Sequence, residues 1–298
     1  MSDPGIWQRL SKRRMTLLSI ALLFFVSVTA IIGPVLLPAS YRELTGNQFA
    51  PPSLHHPFGT DLNGRDLFFR VIEGARISLL VGLAGALISF VIGTAYGMIS
   101  GYTGGKTDAL MMRGVEILYS IPRLILIIVF ISAFDHQLKQ WFSTFHWDAL
   151  IGYSRILILI LCLGLMEWLT MARIVRGQVL SLKSQQFVAA ARSLGQGHLK
   201  IITRHLLPNL AGVVVVYLTL TIPAVILDES FLSFLGLGIQ SPQASWGSLL
   251  SDGAQVINPV RSNWWLLVFP AGAMCSTLLA LNFVGDALRD ALDPRERR

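Results

Sequence analysis

Gly105-Lys106-Thr107 closes a glycine-rich stretch, SGYTGGKTD at Ser100–Asp108, in the way a phosphate-binding loop ends. Such a loop wraps phosphates with consecutive backbone N–H groups and needs a glycine five positions before the glycine of Gly-Lys-Thr. That position is Ser100, and Gly101 falls one residue too close. The loop also requires a preceding strand inside a soluble α/β domain, and no such pattern surrounds it. The stretch predicts a tight turn and no nucleotide chemistry. A second candidate, TDLNGRD at Thr60–Asp66, begins as a calcium loop with Asp61 and Asn63. Arg65 then stands at a ligand position and Asp66 where the glycine must be. His55-His56 lacks further ligands for a metal. Ser, Cys and His form no nucleophilic cluster, and Cys162 and Cys275 both lie in apolar runs. No catalytic, cofactor-binding or metal-ligating residue is assigned.

Composition decides what must position these residues. The chain has 298 residues, 53% apolar and 14% charged, whereas a soluble domain carries about 25% charged residues. The net charge of +7 is not gathered into a face or stripe, so nucleic acid is not expected as a partner. The N-terminus resembles a signal peptide, but its apolar run is too long and no clean cleavage site follows, which predicts a retained anchor.

A hydrocarbon core about 30 Å thick needs about 20 apolar residues. Six runs qualify: 15–37, 77–99, 116–134, 150–170, 211–228 and 264–283. Lipid admits only helices and closed barrels, and runs this long are helices, so the expected fold is an all-α, six-span membrane protein. With the N-terminus cytoplasmic, sixteen Lys and Arg fall in loops on that side and seven on the other, which predicts both termini inside. The expected boundaries are an inner tail 1–14, a first span 15–37, an outer loop 38–76, a five-helix core 77–284 with an inner loop 171–210 and an outer loop 229–262, and an inner tail 285–298. Gly93, Gly97 and Gly101, with Gly82 and Gly85, predict close packing of the second span against a neighbour. Among charges near spans, Glu167 is expected near an inner helix end and Asp228 and Glu229 at an outer end within reach of water. Arg123, after Pro122, is the best candidate for a translocation path or a subunit seam, with Glu229 beside it as a further candidate.

The inner loop carries SQQFVAAARSLGQGHLKIITRHLLPNL, Ser184–Leu210. Phe187, Ala191 and Leu194 fall on one face at helical spacing, and Gly195 is a helix stop. A second helical pattern through Leu199, Ile202 and Leu206 is expected to be interrupted by Pro208. An amphipathic helix lying on the membrane is one reading of this pattern. The order of residues, however, resembles the E-A-A-x3-G-x9-I-x-L-P signature of ABC-importer permeases. Ala190, Ala191, Gly195, Leu207 and Pro208 match, while Ala189 stands in place of the Glu and His205 in place of the Ile. His56–Leu83, Met171–Lys183, Glu229–Ala254 and Gly285–Pro294 extend the resemblance to the oligopeptide/dipeptide (OppC/DppC) type of these binding-protein-dependent permeases, over nearly the whole chain.

That resemblance implies a type I importer permease of MetI-like fold in the bacterial inner membrane, with no chemistry of its own. It implies a second, homologous permease subunit, two cytoplasmic ATPases that hold ATP and Mg, and a periplasmic peptide-binding protein. Gln186, Phe187, Ala189, Ala190, Ala191, Leu194, Gly195, His205, Leu207 and Pro208 would form the loop that engages an ATPase. Peptides are the implied substrate, oligopeptides ahead of dipeptides; antimicrobial peptides and metal chelates are carried by the same subunit type. A secondary transporter driven by an ion gradient is the competing reading. It would show two halves with paired broken helices, and the chain has no evident duplication.

Overall fold

The computed structural model describes residues 14–36, 46–257 and 262–292. In chain order the helices are α1 (Arg14–Leu36), α2 (Leu67–Thr103), α3 (Gly105–Ser120), α4 (Arg123–Thr144), α5 (Asp148–Ile151) and α6 (Ser154–Lys183). They continue with α7 (Gln186–Ser193), α8 (His198–Ile201), α9 (Leu207–Phe234), α10 (Trp246–Val256) and α11 (Trp265–Leu292). A π-turn, Ile202–Leu206, joins α8 to α9. Six are long and apolar enough to cross a membrane: α1, α2, α4, α6, α9 with the turns before it, and α11. The expected limit at residue 37, the tails 1–13 and 293–298, and Arg9, Lys12, Arg13, Arg42, Arg261, Arg295, Arg297 and Arg298 lie outside the described residues.

Most of the spanning helices outrun the apolar runs that announce them, because a helix can continue past the hydrocarbon core while a run cannot. Helix α2 begins at Leu67 instead of residue 77, since Asp66 caps it by accepting the Phe68 N–H at 2.8 Å. The run 116–134 is divided. Glu116–Ser120 closes α3, Ile121 turns extended ahead of Pro122, and Arg123 opens α4. The inner loop expected at 171–210 is mostly helix, because α6 runs on to Lys183 and α9 starts at Leu207. The outer loop expected at 229–262 holds the last six residues of α9 and all of α10.

Helix α2 is the centre of the bundle and shares its longest seam with α6. The expected glycine packing lies inside the chain. A Cβ at Gly93 would sit 2.5 Å from the Met171 Cβ, and one at Gly97 2.5 Å from the Ala172 carbonyl oxygen. Gly101 likewise faces Arg176 and Val179, while Gly82 and Gly85 receive Ile226 and Val225 of α9. At one end of the bundle, here the lower, Lys183 and His198 meet Tyr102. At the upper end, Trp246 of α10 is buried against α2, its indole N–H donating to the Val71 carbonyl at 3.2 Å. Helices α3 and α4 together form one broken crossing. Tyr96 donates to the Met111 carbonyl near its lower part, and Ser154, at the start of α6, donates to Asp135 near its top.

Candidate functional site

The lower end is built on α7. Val188 and Ala191 are buried among Val175, Val179, Ile201 and Leu206, which anchors one face of the helix. Gln186, Phe187, Ala189 and Ala190 lie on the exposed side. Leu194 is 80% and Leu199 75% exposed, so an apolar surface stands uncovered beside them. The single face expected for Phe187, Ala191 and Leu194 is therefore divided, with Ala191 turned in and the other two out. Gly195 ends the helix as expected: its φ is +73°, and its N–H donates to Arg192 O while that of Gln196 donates to Ala191 O. Pro208 does not interrupt the second pattern. Helix α9 runs through it near its N-terminus, where a missing N–H is tolerated, and the π-turn ahead widens the ladder. His205 is held by Gln196 at 2.8 Å, and Asn209 donates to its carbonyl at 2.6 Å. Leu207 and Pro208 are exposed.

The stretch SGYTGGKTD joins this unit to the bundle. Helix α2 runs on to Thr103, and the turn itself is Gly104–Gly105, with φ of +68° and +58°. The Tyr102 hydroxyl lies 2.8 Å from His198 Nδ1, and Lys183 donates to the Tyr102 carbonyl. Arg192 of α7 sits 5.6 Å from the centre of the Tyr102 ring, within cation–π range. Arg176 donates from Nε and Nη2 to Asp108, both at 2.6 Å, and Ser100 donates to the same carboxylate. The Arg176 hydrogen bonds hold the Asp108 carboxyl below the usual carboxylate range. One short turn thus fastens α2, α3, α6, α7 and α8 together. No local pattern announces the node, because Arg176 lies 68 residues from Asp108 and His198 lies 96 from Tyr102.

Halfway up the bundle, Arg123 donates to Glu167 at 3.2 Å and to Asp228 at 3.0 Å. This corrects the expected positions of both acids. Glu167 is the fourteenth of the thirty residues of α6, far from either end, because α6 extends well past the apolar run. The Arg123 side chain is 54% exposed and each acidic side chain 14%, so the ion pairs open on the surface of the chain at spanning depth. Glu229 differs from its neighbour. It is fully buried and accepts from Ser78 (2.9 Å), Ser233 (2.7 Å) and Ser230 (3.3 Å), so neither a path nor a partner reaches it here. Ser78 also accepts the Trp246 N–H at 3.3 Å, so Glu229 ties α9 to α2 and α10. At the upper end, Asp61 accepts the backbone N–H groups of Asn63 and Arg65, which makes TDLNGRD a turn.

A family model described as binding-protein-dependent transport system inner membrane component matches residues 93–298. Another, the N-terminal TM domain of oligopeptide transport permease C, matches residues 5–52. The chain is 45% identical to the oligopeptide transport system permease protein OppC of Haemophilus influenzae, covering 100% of this chain and 91% of that protein. It is 45% identical to the dipeptide transport system permease protein DppC of Bacillus subtilis (98% and 85% covered) and 44% identical to the OppC of Escherichia coli K12 (98% and 92%). Among solved structures, a chain of the MetNI methionine ABC transporter in an inward-facing conformation matches with a TM-score of 0.57 at 19% identity, over 76% of this chain and 98% of that one. The fold is the all-α, MetI-like permease fold.

Proposed function

Since the chain belongs to the binding-protein-dependent transport system inner membrane components, we propose that it is the permease subunit of an ATP-driven importer and forms half of a pathway for peptides, oligopeptides ahead of dipeptides. The observation that carries this reading is full-length similarity to permeases named for oligopeptide and dipeptide transport. A second permease, two ATPases with their ATP and Mg, and a peptide-delivering binding protein complete the assembly. The chain itself hydrolyses nothing. The excess of Lys and Arg supports a cytoplasmic lower end with both termini on that side.

In this assembly the exposed face of α7, with Gln186, Phe187, Ala189, Ala190 and Leu194, docks in an ATPase groove. Gly195, His205, Leu207 and Pro208 shape the return into α9, and Ala191 roots the helix in the bundle. Ala189 offers no carboxylate, so apolar contact carries this docking. When the ATPases close on ATP they displace α7, and the bundle alternates between inward-open and outward-open states. Arg123 belongs to the path or to the seam with the second permease. To test the reading, the chain is purified with its co-encoded neighbours and its ATPase activity measured with peptide-loaded binding protein. Stimulated hydrolysis that disappears on deleting residues 186–195 is expected; association with ATPases that survives the deletion would sink it.

Tyr102 separates docking from transmission. The variant Tyr102→Ala keeps the outer face of α7 but loses the hydroxyl and the ring under Arg192, and should lower peptide-stimulated hydrolysis about tenfold at unchanged ATPase binding. Tyr102→Phe retains the ring and should fall between. Equal rates in all three would remove Tyr102 from the coupling.

A further inference from the structure

A cavity of about 250 Å³ opens at the upper end between α4, the start of α6 and the segment after α9. Its polar lining includes Ser132, Asp135, His136, Arg155 and Gln240. A second cavity, of about 190 Å³, shares Arg155 and Gln240 and adds Lys139 and Gln243. None of these residues takes part in the lower-end node or the mid-span ion pairs.

Arg155 is the charged residue common to both cavities. Its Nε donates to Asp135 Oδ2 at 3.1 Å, and Asp135 is fixed in turn by Ser154 at 2.8 Å and Lys139 at 2.7 Å. Asp135 is 9% exposed, so the residue that orients Arg155 is itself rigidly held. The guanidinium has five donors in a planar fork, and only Nε has a hydrogen-bond partner among the described residues. The Nη edge remains for a second acceptor. A guanidinium clamped by Nε and open at its Nη edge is preorganised for bidentate binding of another carboxylate. One acid faces two bases here, Lys139 and Arg155, so the local balance is positive and favours an anion. The amides of Gln240 and Gln243 can hydrogen-bond an extended backbone beside it.

The cavity stands above the mid-span charges along both α4 and α6. Arg123 and Asp135 are twelve residues apart on α4, about 18 Å at the helical rise. Counting along α6 from Ser154 to Glu167 gives about the same depth difference. A group entering from the upper end meets Arg155 before it meets Arg123.

We propose that Arg155 is a substrate-binding residue, receiving the C-terminal carboxylate of the transported peptide on its Nη edge as the peptide enters from the upper end. The proposal rests on the reading of the chain as a peptide permease subunit. It adds a station on the permease itself, with a preference for free acids.

The test uses the complete complex with Gln240→Cys, and with Cys162→Ala and Cys275→Ala to remove background. Maleimide labelling of residue 240 is timed with and without a five-residue peptide, as free acid and as C-terminal amide. The free acid should slow labelling about tenfold more than the amide, the scale of one bidentate charge-assisted pair. Arg155→Gln should abolish that difference, and Arg155→Lys, which keeps the charge but loses the fork, should retain a small part of it. A merely structural role would change labelling in the absence of peptide. Equal protection by acid and amide, protection by neither, or a difference that survives Arg155→Gln would overturn the proposal. An acidic group of a partner protein as the real occupant would show as no peptide protection at all. Peptide-stimulated hydrolysis in the same complex before mutation reports separately on the peptide-permease reading.

Discussion

Gly97→Leu should prevent recovery of a folded chain, while Gly177→Ala on the facing helix should be fully tolerated. A Cβ at Gly97 would lie 2.5 Å from the Ala172 carbonyl oxygen, 2.8 Å from the Val175 Cβ and 3.0 Å from the Arg176 nitrogen. Two of those three atoms are backbone, so no rotamer change relieves the overlap and α2 and α6 must move apart. Overpacking in a core costs about 1–3 kcal/mol, and rigid backbone on the other side puts this substitution at or above the top of that range. Close approach is also what stabilises helix pairs in lipid, where apolar burial between helices gains little over contact with acyl chains. The same seam carries Arg176 to Asp108, so opening it also loosens the turn that holds α7. Gly97→Ala should fall between the two extremes. Nothing lies within 4 Å of a Cβ at Gly177, and Ala there should stabilise the helix slightly. Yield and thermal midpoint in detergent measure all three. A normal midpoint for Gly97→Leu would mean that the seam yields far more easily than its geometry implies.

The sequence shows the spanning helices and the glycine stripe because both depend on local pattern. Apolar runs locate a membrane core, and four-residue glycine spacing marks one helix face, whatever its partner. Helix ends escape the same reasoning, since Asp66 caps α2 eleven residues before the apolar run and α6 continues through Arg173, Arg176 and Lys183. An apolar run that ends at residue 170 places Glu167 at a helix end and hides its pairing with Arg123. A better signal was available: one cation and two acids in three different spans, none affordable in lipid alone, can satisfy one another. The burial of Glu229 escapes local pattern for a different reason. Its partners are serines 151 residues earlier and one and four residues later, and serine carries no charge signal that would announce a buried carboxylate's company. The division of α7 into rooted and exposed faces follows from Val188 beside Phe187, which spacing alone leaves ambiguous in a helix of eight residues.

Arg123→Met should abolish both assembly and uptake, and neutralising its partners should restore only assembly. Removing the guanidinium leaves Glu167 and Asp228 at spanning depth without a cation, where an acid costs about 2.5–3.5 kcal/mol near the helix centre. Arg123→Lys should be intermediate, because an ammonium at the end of a flexible stem satisfies two carboxylates on different helices less well than a fork does. In the triple variant Arg123→Met, Glu167→Gln, Asp228→Asn no charge needs a partner, so the complex should again be recovered by co-purification. Transport should stay low, because the tie between α4, α6 and α9 across the broken crossing is gone. Recovery of transport together with assembly would reduce the three charges to a structural element. The exposure of Arg123 then distinguishes its two possible settings. Its side chain is 54% exposed on the isolated chain, and lipid is a poor neighbour for it, so either water in the pathway or the second permease must cover it. A cysteine at position 123, in the background with Glu167→Gln and Asp228→Asn, should react with a small water-soluble thiol reagent and slow down when the binding protein delivers peptide if it lines the path. If it lies in the seam it should instead resist the reagent and cross-link to a cysteine on the facing subunit.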